Sequence, residues 1–453
     1  MDGGTVRIVT TLEQKAGPHA SGATSGRYAV AGRALKKGEV VLCTPALAAI
    51  LNEECRGRRC SWCFCPPRDA NTGKIISRCA RCKLDHYCSR TCQEIAWKTD
   101  HKAECARRAE LERGLMTAGL QGHGAVLDAL LAARCVRKST SNTYESGNPS
   151  CGTLADLEPM DGHPDDLEKI AQTLAEIPGM LPDGSNAGKA FDALSRFRNN
   201  NFAVVDDLFI AIGAGCFPIG AALNHSCRPN CLLTYEFSAG RIPSQVIRVM
   251  EDVEMGAELT HSYVDLALPT WERQTQLVDV YGFDCKCASC RSRAREVLDA
   301  TLVAVKDGNG AAACGEACQL PLAVPCAQRD ADLANAEQLF RKAALEEEAE
   351  SELRLLEEVC RVREHWLHPQ HVEVLAAHAN AHTAAIAAGD WKRAEVHCQR
   401  LVDQYLVVYP AWHPIAGLQM YTLAELREKD GDLREAGSWY HRAEAVLRLT
   451  HGE

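Results

Sequence analysis

Four pairs of soft metal ligands crowd one stretch of this chain: Cys60-x-x-Cys63, Cys79-x-x-Cys82, Cys88-x-x-x-Cys92 and His101-x-x-x-Cys105. A loop this small has no room for a core of its own. Eight paired thiol and imidazole groups are what two tetrahedral zinc ions need in its place. The last two pairs have i, i+4 spacing, which sets both ligands on one helix face. Pairing adjacent couples gives two separate sites. Interleaving them, the first pair with the third and the second with the fourth, cross-braces the loop. Spacing leaves both open. Cys55 and Cys65 are surplus and read as free thiols.

A second cluster, Cys285-x-Cys287-x-x-Cys290, is too tight for three disulfides to different places. It wants a fourth soft ligand, and Cys227 in Asn224-His225-Ser226-Cys227-Arg228-Pro229-Asn230-Cys231 is the candidate. A zinc shared between them ties remote pieces together, with Glu258-Leu259-Thr260-His261-Ser262-Tyr263 between them in sequence. Cysteine usage supports metal over disulfide. There are 23 cysteines, an odd number, and the N-terminus lacks a basic-then-apolar signal. The longest apolar run, Val40 to Leu51, contains a proline and is too short to span a bilayer. An intracellular, reducing location is therefore expected, with no membrane partner. The net charge of -10 argues against a general nucleic-acid binder, although the cysteine-rich stretch is basic and the region after Asp330 acidic.

At 453 residues the chain has room for about three domains. Val6 to Val9 reads as a strand. Arg27 to Leu35 and Glu39 to Leu42 read as a hairpin turning at Lys36-Lys37-Gly38. Ser25-Gly26-Arg27-Tyr28 taken alone is a surface turn, and Asn199-Asn200-Asn201 a polar turn entering a strand at Phe202. Residues 106–134 read as helical, Lys138 to Asp166 as a mobile loop, and helical patterning resumes at Leu167 and at Lys189. Phe209 to Ile212, Gly215 to Ile219 and Gln245 to Val249 are strand-like; Thr270 to Val280 is a helix. Asp307 to Arg329 is a loop carrying Cys314, Cys318 and Cys326, which read as structural thiols. From Asp330 the pattern is helical. Gly389-Asp390-x-x-x-Ala394 returns as Gly431-Asp432-x-x-x-Ala436, the mark of stacked helix pairs.

Asn-His-Ser-Cys-x-Pro-Asn at 224–230, Glu-Leu-x-x-x-Tyr at 258–263 and Cys-x-Cys-x-x-Cys at 285–290 resemble the SET domain of protein lysine methyltransferases and its post-SET zinc site. The eight-ligand module resembles a MYND zinc finger. Their order, with helical repeats following, is that of the SET-and-MYND family, and the resemblance covers nearly the whole chain. It implies an α+β multidomain protein. Its parts would be a β-rich SET core with a pseudoknot, an inserted MYND finger, a helical insert, a post-SET zinc site and C-terminal tetratricopeptide-like repeats. The expected boundaries are 1–54 and 199–266 for SET, 55–105 for MYND, 106–198 for linker and insert, 267–295 for post-SET and 330–453 for the repeats.

The resemblance also implies S-adenosylmethionine as cofactor, held by Gly26, Arg27, Glu158, Asn200, Leu223, Asn224, His225 and Phe283. It implies a lysine channel lined by Phe202, Tyr263 and Tyr281, with Tyr263 catalytic. It assigns three zinc ions: one to Cys60, Cys63, Cys88 and Cys92, one to Cys79, Cys82, His101 and Cys105, and one to Cys227, Cys285, Cys287 and Cys290. Relatives usually carry Gly-x-Gly where this chain has Gly26 between Ser25 and Arg27, followed by Tyr28, which is expected to narrow the cofactor entrance. The implied activity is methyl transfer to lysines of histone or non-histone proteins, in cytoplasm and nucleus, by a monomer. The alternative is a catalytically weak scaffold that binds a proline-rich peptide through MYND and a partner through the repeats. DNA on the basic MYND face is a further alternative, although those charges equally serve to keep a small zinc module soluble.

Overall fold

The computed structural model describes residues 6–10, 27–67, 77–120, 122–140, 151–160, 162–306 and 326–452. They fall into two compact units. The first holds the described residues up to Asn224 together with Asn230–Thr260, and the second holds 225–229 and everything described from His261 onward. Among the described residues no helix is long and apolar enough to cross a membrane.

The β-structure is divided among small sheets. One runs Val6–Thr10, Arg27–Ala31, Glu258–His261, Asn224–His225 in spatial order. A second runs Cys231–Glu236, Ser244–Val249, Val40–Pro45, and a third Ala48–Leu51, Ala211–Cys216, Asn201–Val205. In the second sheet Ile247 stands opposite both Leu233 and Leu42. Its side chain joins Ala29, Leu35, Val41, Leu223 and Leu259 in one apolar core. Such cross-strand apolar positions pin register, because a one-residue slip would turn every one of them to the opposite face.

The expected hairpin at Lys36-Lys37-Gly38 is corrected. A turn exists, with Gly38 at φ 87 and the Glu39 amide donating to the Lys36 carbonyl, but the flanking strands enter different sheets. The amides of Leu35 and Gly38 donate to Val253 and Val249 instead of across the turn. Likewise Phe209–Ile212 and Gly215–Ile219 are not two strands. A single strand, Ala211–Cys216, covers the middle, and Phe209 sits at φ 60 in a turn whose Leu208 and Ile210 amides donate to Asp206.

The helical insert packs Arg108–Thr117, His123–Thr140, Asp165–Glu176 and Ala187–Arg198 around Leu111, Leu115, Leu130, Ile170, Leu174 and Phe197. In Asp165–Glu176 the buried residues Leu167, Ile170, Ala171 and Leu174 recur at i, i+3, i+4 and i+7, which makes one apolar face. The expected loop from Lys138 to Asp166 is shorter than its composition suggested. The preceding helix runs to Thr140, and Thr153 with Asp156 forms a reciprocal capping box around a turn at Leu154–Asp156.

The C-terminal helices are Ala327–Ala343, Ala349–Trp366, Val372–Ala388, Trp391–Val408, Pro414–Lys429 and Leu433–His451, each packed on the next. The first begins at Ala327, just after Cys326, so the expected loop to Arg329 ends early; Cys314 and Cys318 lie outside the described residues. The repeated Gly-Asp has a mechanical reason. Gly389 and Gly431 take φ 73 and 87, which ends one helix without a Cβ penalty. Asp390 and Asp432 then accept the amides of Arg393 and Glu435 and start the next, each cap contributing about 1 kcal/mol. Ala394 and Ala436 follow, buried where neighbouring helices meet.

Candidate functional site: a tyrosine, an imidazole and a cysteine cluster

In the first unit the eight MYND-type ligands gather in interleaved order. Cys60, Cys63, Cys88 and Cys92 form one group and Cys79, Cys82, His101 and Cys105 the other, with the donor atoms of each group within 4.8 Å of one another. Cys88 is not on a helix face, as its spacing implied. It precedes the N-cap Ser89, whose hydroxyl accepts the Cys92 amide, and the helix begins at Arg90. The Gly240 amide donates to Cys92 Sγ at 3.2 Å. Asp85 Oδ2 lies 2.9 Å from His101 Nδ1, leaving Nε2 to face Cys82 Sγ at 3.6 Å. A carboxylate behind the imidazole fixes the tautomer a metal ligand needs, and sequence spacing gave no sign of Asp85.

Two candidate cofactor residues of this unit, Arg27 and Asn200, reach the segment after Gly152. Arg27 Nη1 lies 4.0 Å from Asp156 Oδ1. The Asn200 amide nitrogen donates to the Glu158 carbonyl at 3.0 Å. Asp156 was not singled out by sequence; its signal was the Thr153-x-x-Asp156 capping pattern. Asn224 donates to Glu258 Oε1 at 2.8 Å. Asn230 donates to the Glu258 carbonyl and accepts the Thr260 amide, both at 2.9 Å, so its side chain bonds to the backbone of the Glu258–His261 strand. The Leu223 side chain is buried in the β-core. Tyr28 is buried beside Val30, on the face of its strand opposite Ala29. Phe202 packs edge-on against Phe217, ring centroids 6.0 Å apart. Gly26 and Ser25 lie outside the described residues.

In the second unit Cys227, Cys285, Cys287 and Cys290 bring four Sγ atoms within 4.8 Å of one another, three of the residues buried. The donor set fits zinc: four thiolates in a closed tetrahedral group. Arg273 answers their charge. It is fully buried, and its Nε donates to Cys227 Sγ at 3.3 Å while Nη2 donates to Thr270 Oγ1 at 2.8 Å. Gln274 ties the loop down by accepting the Cys285 amide and donating to the Cys285 carbonyl. The cluster also packs with Leu277, Leu302, Val408 and Tyr409, so its apolar support comes partly from the repeat helices.

His225 stands against this cluster. Its Nε2 faces Cys227 Sγ at 3.2 Å, and its Nδ1 accepts the backbone amide of Tyr263 at 3.0 Å. An acceptor Nδ1 puts the ring proton on Nε2, where it serves the sulfur. Burial, reinforced by His261, pulls His225 down to about 3, so the ring stays neutral at physiological pH. Tyr263 lies two residues beyond the strand Glu258–His261. Its ring centroid is 4.8 Å from that of Tyr281 and 6.4 Å from that of Phe283. Burial raises the Tyr281 phenol above its usual range. The Ser226 amide donates to the His261 carbonyl, so the two motif segments run side by side here as well.

Comparison with known proteins places these features. The SET domain family model matches residues 26–264, more than half of the chain. Histone-lysine N-methyltransferase ASHR1 of Arabidopsis thaliana is 24% identical over 94% of this chain and 90% of its own length. Histone-lysine N-methyltransferase SMYD3 of Homo sapiens is 23% identical over 92% of this chain and 89% of its own. N-lysine methyltransferase SMYD2-B of Danio rerio is 30% identical over 63% of this chain and 62% of its own. These relatives favour the enzyme over the interaction scaffold. The chain belongs to the SET domain family, as a lysine methyltransferase of the SET-and-MYND type.

Proposed function

We propose that this chain transfers a methyl group from S-adenosylmethionine to the side-chain amine of lysines in histone or non-histone proteins, with Tyr263 as the catalytic residue. The observation that carries this reading is the hold on Tyr263: its amide is fixed by His225, and its ring stands among Tyr281 and Phe283. In this proposal Phe202, Tyr263 and Tyr281 line the lysine channel. Gly26, Arg27, Glu158, Asn200, Leu223, Asn224, His225 and Phe283 hold the cofactor. The polar members suit its charged and hydroxylated parts, and Phe283 offers a ring for the adenine. The three cysteine-rich groups hold three zinc ions. A proline-rich peptide at the MYND module, a monomeric state and residence in cytoplasm and nucleus complete the proposal, with DNA at the basic MYND face as the weaker alternative.

The chemistry asks specific things of these side chains. S-adenosylmethionine, when bound, supplies an electrophilic methyl on a cationic sulfur. The attacking amine must be neutral, yet a free lysine has a pKa of about 10.4. An aromatic channel disfavours the ammonium and excludes water while gripping the aliphatic stem. The Tyr263 hydroxyl orients the amine along the line of attack, and holding the two reactants in line supplies much of the remaining acceleration. His225 takes no proton in this scheme. Its Nδ1 is committed to the Tyr263 amide, and a group that titrates near 3 is a poor base at neutral pH.

The test is transfer of labelled methyl from S-adenosylmethionine into histones and into a cell lysate, with mass spectrometry of the products. Label on lysine is expected. Cofactor binding measured by titration calorimetry without any lysine labelling would overturn the proposal.

A further inference from the structure

The helical repeats contain a fourth group of metal donors that the methyl-transfer chemistry does not use. Cys360, His378 and His397 come from three successive helices, Ala349–Trp366, Val372–Ala388 and Trp391–Val408. All three are buried, 4 to 5% exposed. The Cys360 sulfur and one nitrogen of each histidine lie within 4.8 Å of one another.

The two Nδ1 atoms face each other at 2.9 Å. On the far side of each ring stands a carboxylate: Glu364 Oε1 is 3.2 Å from His378 Nε2, and Glu357 Oε1 is 3.8 Å from His397 Nε2. Two neutral rings satisfy this arrangement poorly. If His378 donates through Nε2 to Glu364, its Nδ1 must accept, so His397 donates through Nδ1. The bare Nε2 of His397 then points at a carboxylate, two acceptors face to face. A cation between the rings removes the conflict. Both Nδ1 atoms become ligands, both Nε2 atoms carry hydrogen, and each donates toward its own carboxylate, the usual support behind a metal-bound imidazole.

We propose that Cys360, His378 and His397 bind a zinc ion through Sγ and the two Nδ1 atoms, pinning three repeat helices together. One thiolate with two imidazoles is a borderline-soft donor set suited to zinc. Bonds of about 2.0–2.1 Å in a tetrahedral site place two nitrogens roughly 3.3 Å apart, so the rings need open by only a few tenths of an ångström. With one thiolate the ion keeps one positive charge, which faces Glu357 and Glu364; these carboxylates also pair with Arg393 and Arg400. The clip has a mechanical use. The buried residues of Val372–Ala388 are Val374, Ala377, His378, Ala381, Ala384 and Ala385, so this helix has little large apolar surface with which to hold its neighbours.

The test uses the full-length chain, saturated with zinc and desalted, with metal counted by plasma mass spectrometry. Wild type should hold one zinc more than Cys360→Ser, with His397→Gln giving the same deficit. Equal metal in wild type and in the folded variants would overturn the site. Crystals of the zinc-loaded wild type supply a readout independent of variant folding. An anomalous peak at the zinc edge bonded to Cys360 Sγ is expected. Its absence, with peaks present at the other cysteine groups, would overturn the site too.

Discussion

The backbone amide of Tyr263 donates to Nδ1 of His225 at 3.0 Å, and Nε2 of that ring faces Cys227 Sγ at 3.2 Å. A single imidazole thus links the cysteine cluster to the tyrosine. Loosening the cluster should therefore be felt at Tyr263. Cys285→Ser, which leaves His225 in place, is expected to lower zinc content by one ion per chain and to reduce methyl transfer by roughly 10²-fold, as a misplaced reacting group does. Full turnover with one zinc fewer would break this link.

Tyr263→Phe keeps the ring and removes the hydroxyl. Transfer to protein lysine should fall roughly 10²-fold or more, the cost of losing one donor aimed at the reacting atoms. Cofactor affinity, read by calorimetry, should stay nearly unchanged. Unchanged turnover would remove Tyr263 from the catalytic role.

Stability of the first unit leans on a buried ion pair. Arg134 donates to both oxygens of Glu104, at 3.0 and 2.7 Å, and to the Ala49 carbonyl at 2.6 Å; Arg137 joins them at the same carboxylate. Burial raises the Glu104 carboxyl, but the two guanidinium groups outweigh it and bring it down to about 2. Arg134→Met leaves Glu104 buried with Arg137 as its remaining guanidinium partner, so unfolding in denaturant should become easier by roughly 1–3 kcal/mol. A shift under 1 kcal/mol would show that the pair contributes little.

The repeats should weaken in mild acid. The His371 side chain caps Val372–Ala388 by accepting the Glu373 amide on Nδ1. Burial, with Arg363 and His368 nearby, lowers it to about 4 from an ordinary value of 6.5. The folded form therefore takes up its proton later than the unfolded form does. Stability is full above about pH 6.5 and is lost as pH falls from there toward 4, with on the order of 2 kcal/mol gone by pH 5. His371→Asn retains a capping acceptor without the titration. Its melting temperature should fall less between pH 7.5 and pH 5 than that of wild type, and equal slopes would rule out His371 as the source.

Much of the candidate site was legible because zinc ligands and the SET motifs are local patterns. Cys227, Cys285, Cys287 and Cys290 were read as one group from the tight Cys-x-Cys-x-x-Cys and the thiol left over beside His225, and their sulfurs do converge. Partners that act across distant sequence left no such trace. Arg273 against Cys227, Glu258 against Asn224 and Asp85 against His101 are ordinary charged residues whose meaning depends on what folds against them. The turn at Lys36-Lys37-Gly38 failed as a hairpin for a related reason. A turn signal fixes local dihedrals, whereas the partners of the Leu35 and Gly38 amides, Val253 and Val249, lie more than two hundred residues away.

The sequence by itself determined which residues can bind metal, where the Gly-Asp turns join the repeat helices, and which family the motifs belong to. These depend on donor chemistry and on short-range backbone preference, as at Gly389-Asp390 and Gly431-Asp432. Spacing left the interleaving of the cysteine pairs open, and the family resemblance implied it; tertiary structure alone decided that His225 bridges Cys227 and Tyr263 and that Cys360, His378 and His397 meet. Burial, charge and hydrogen-bond direction at those positions are set by neighbours that the chain brings in from far away, and spacing along one strand of sequence carries no record of them.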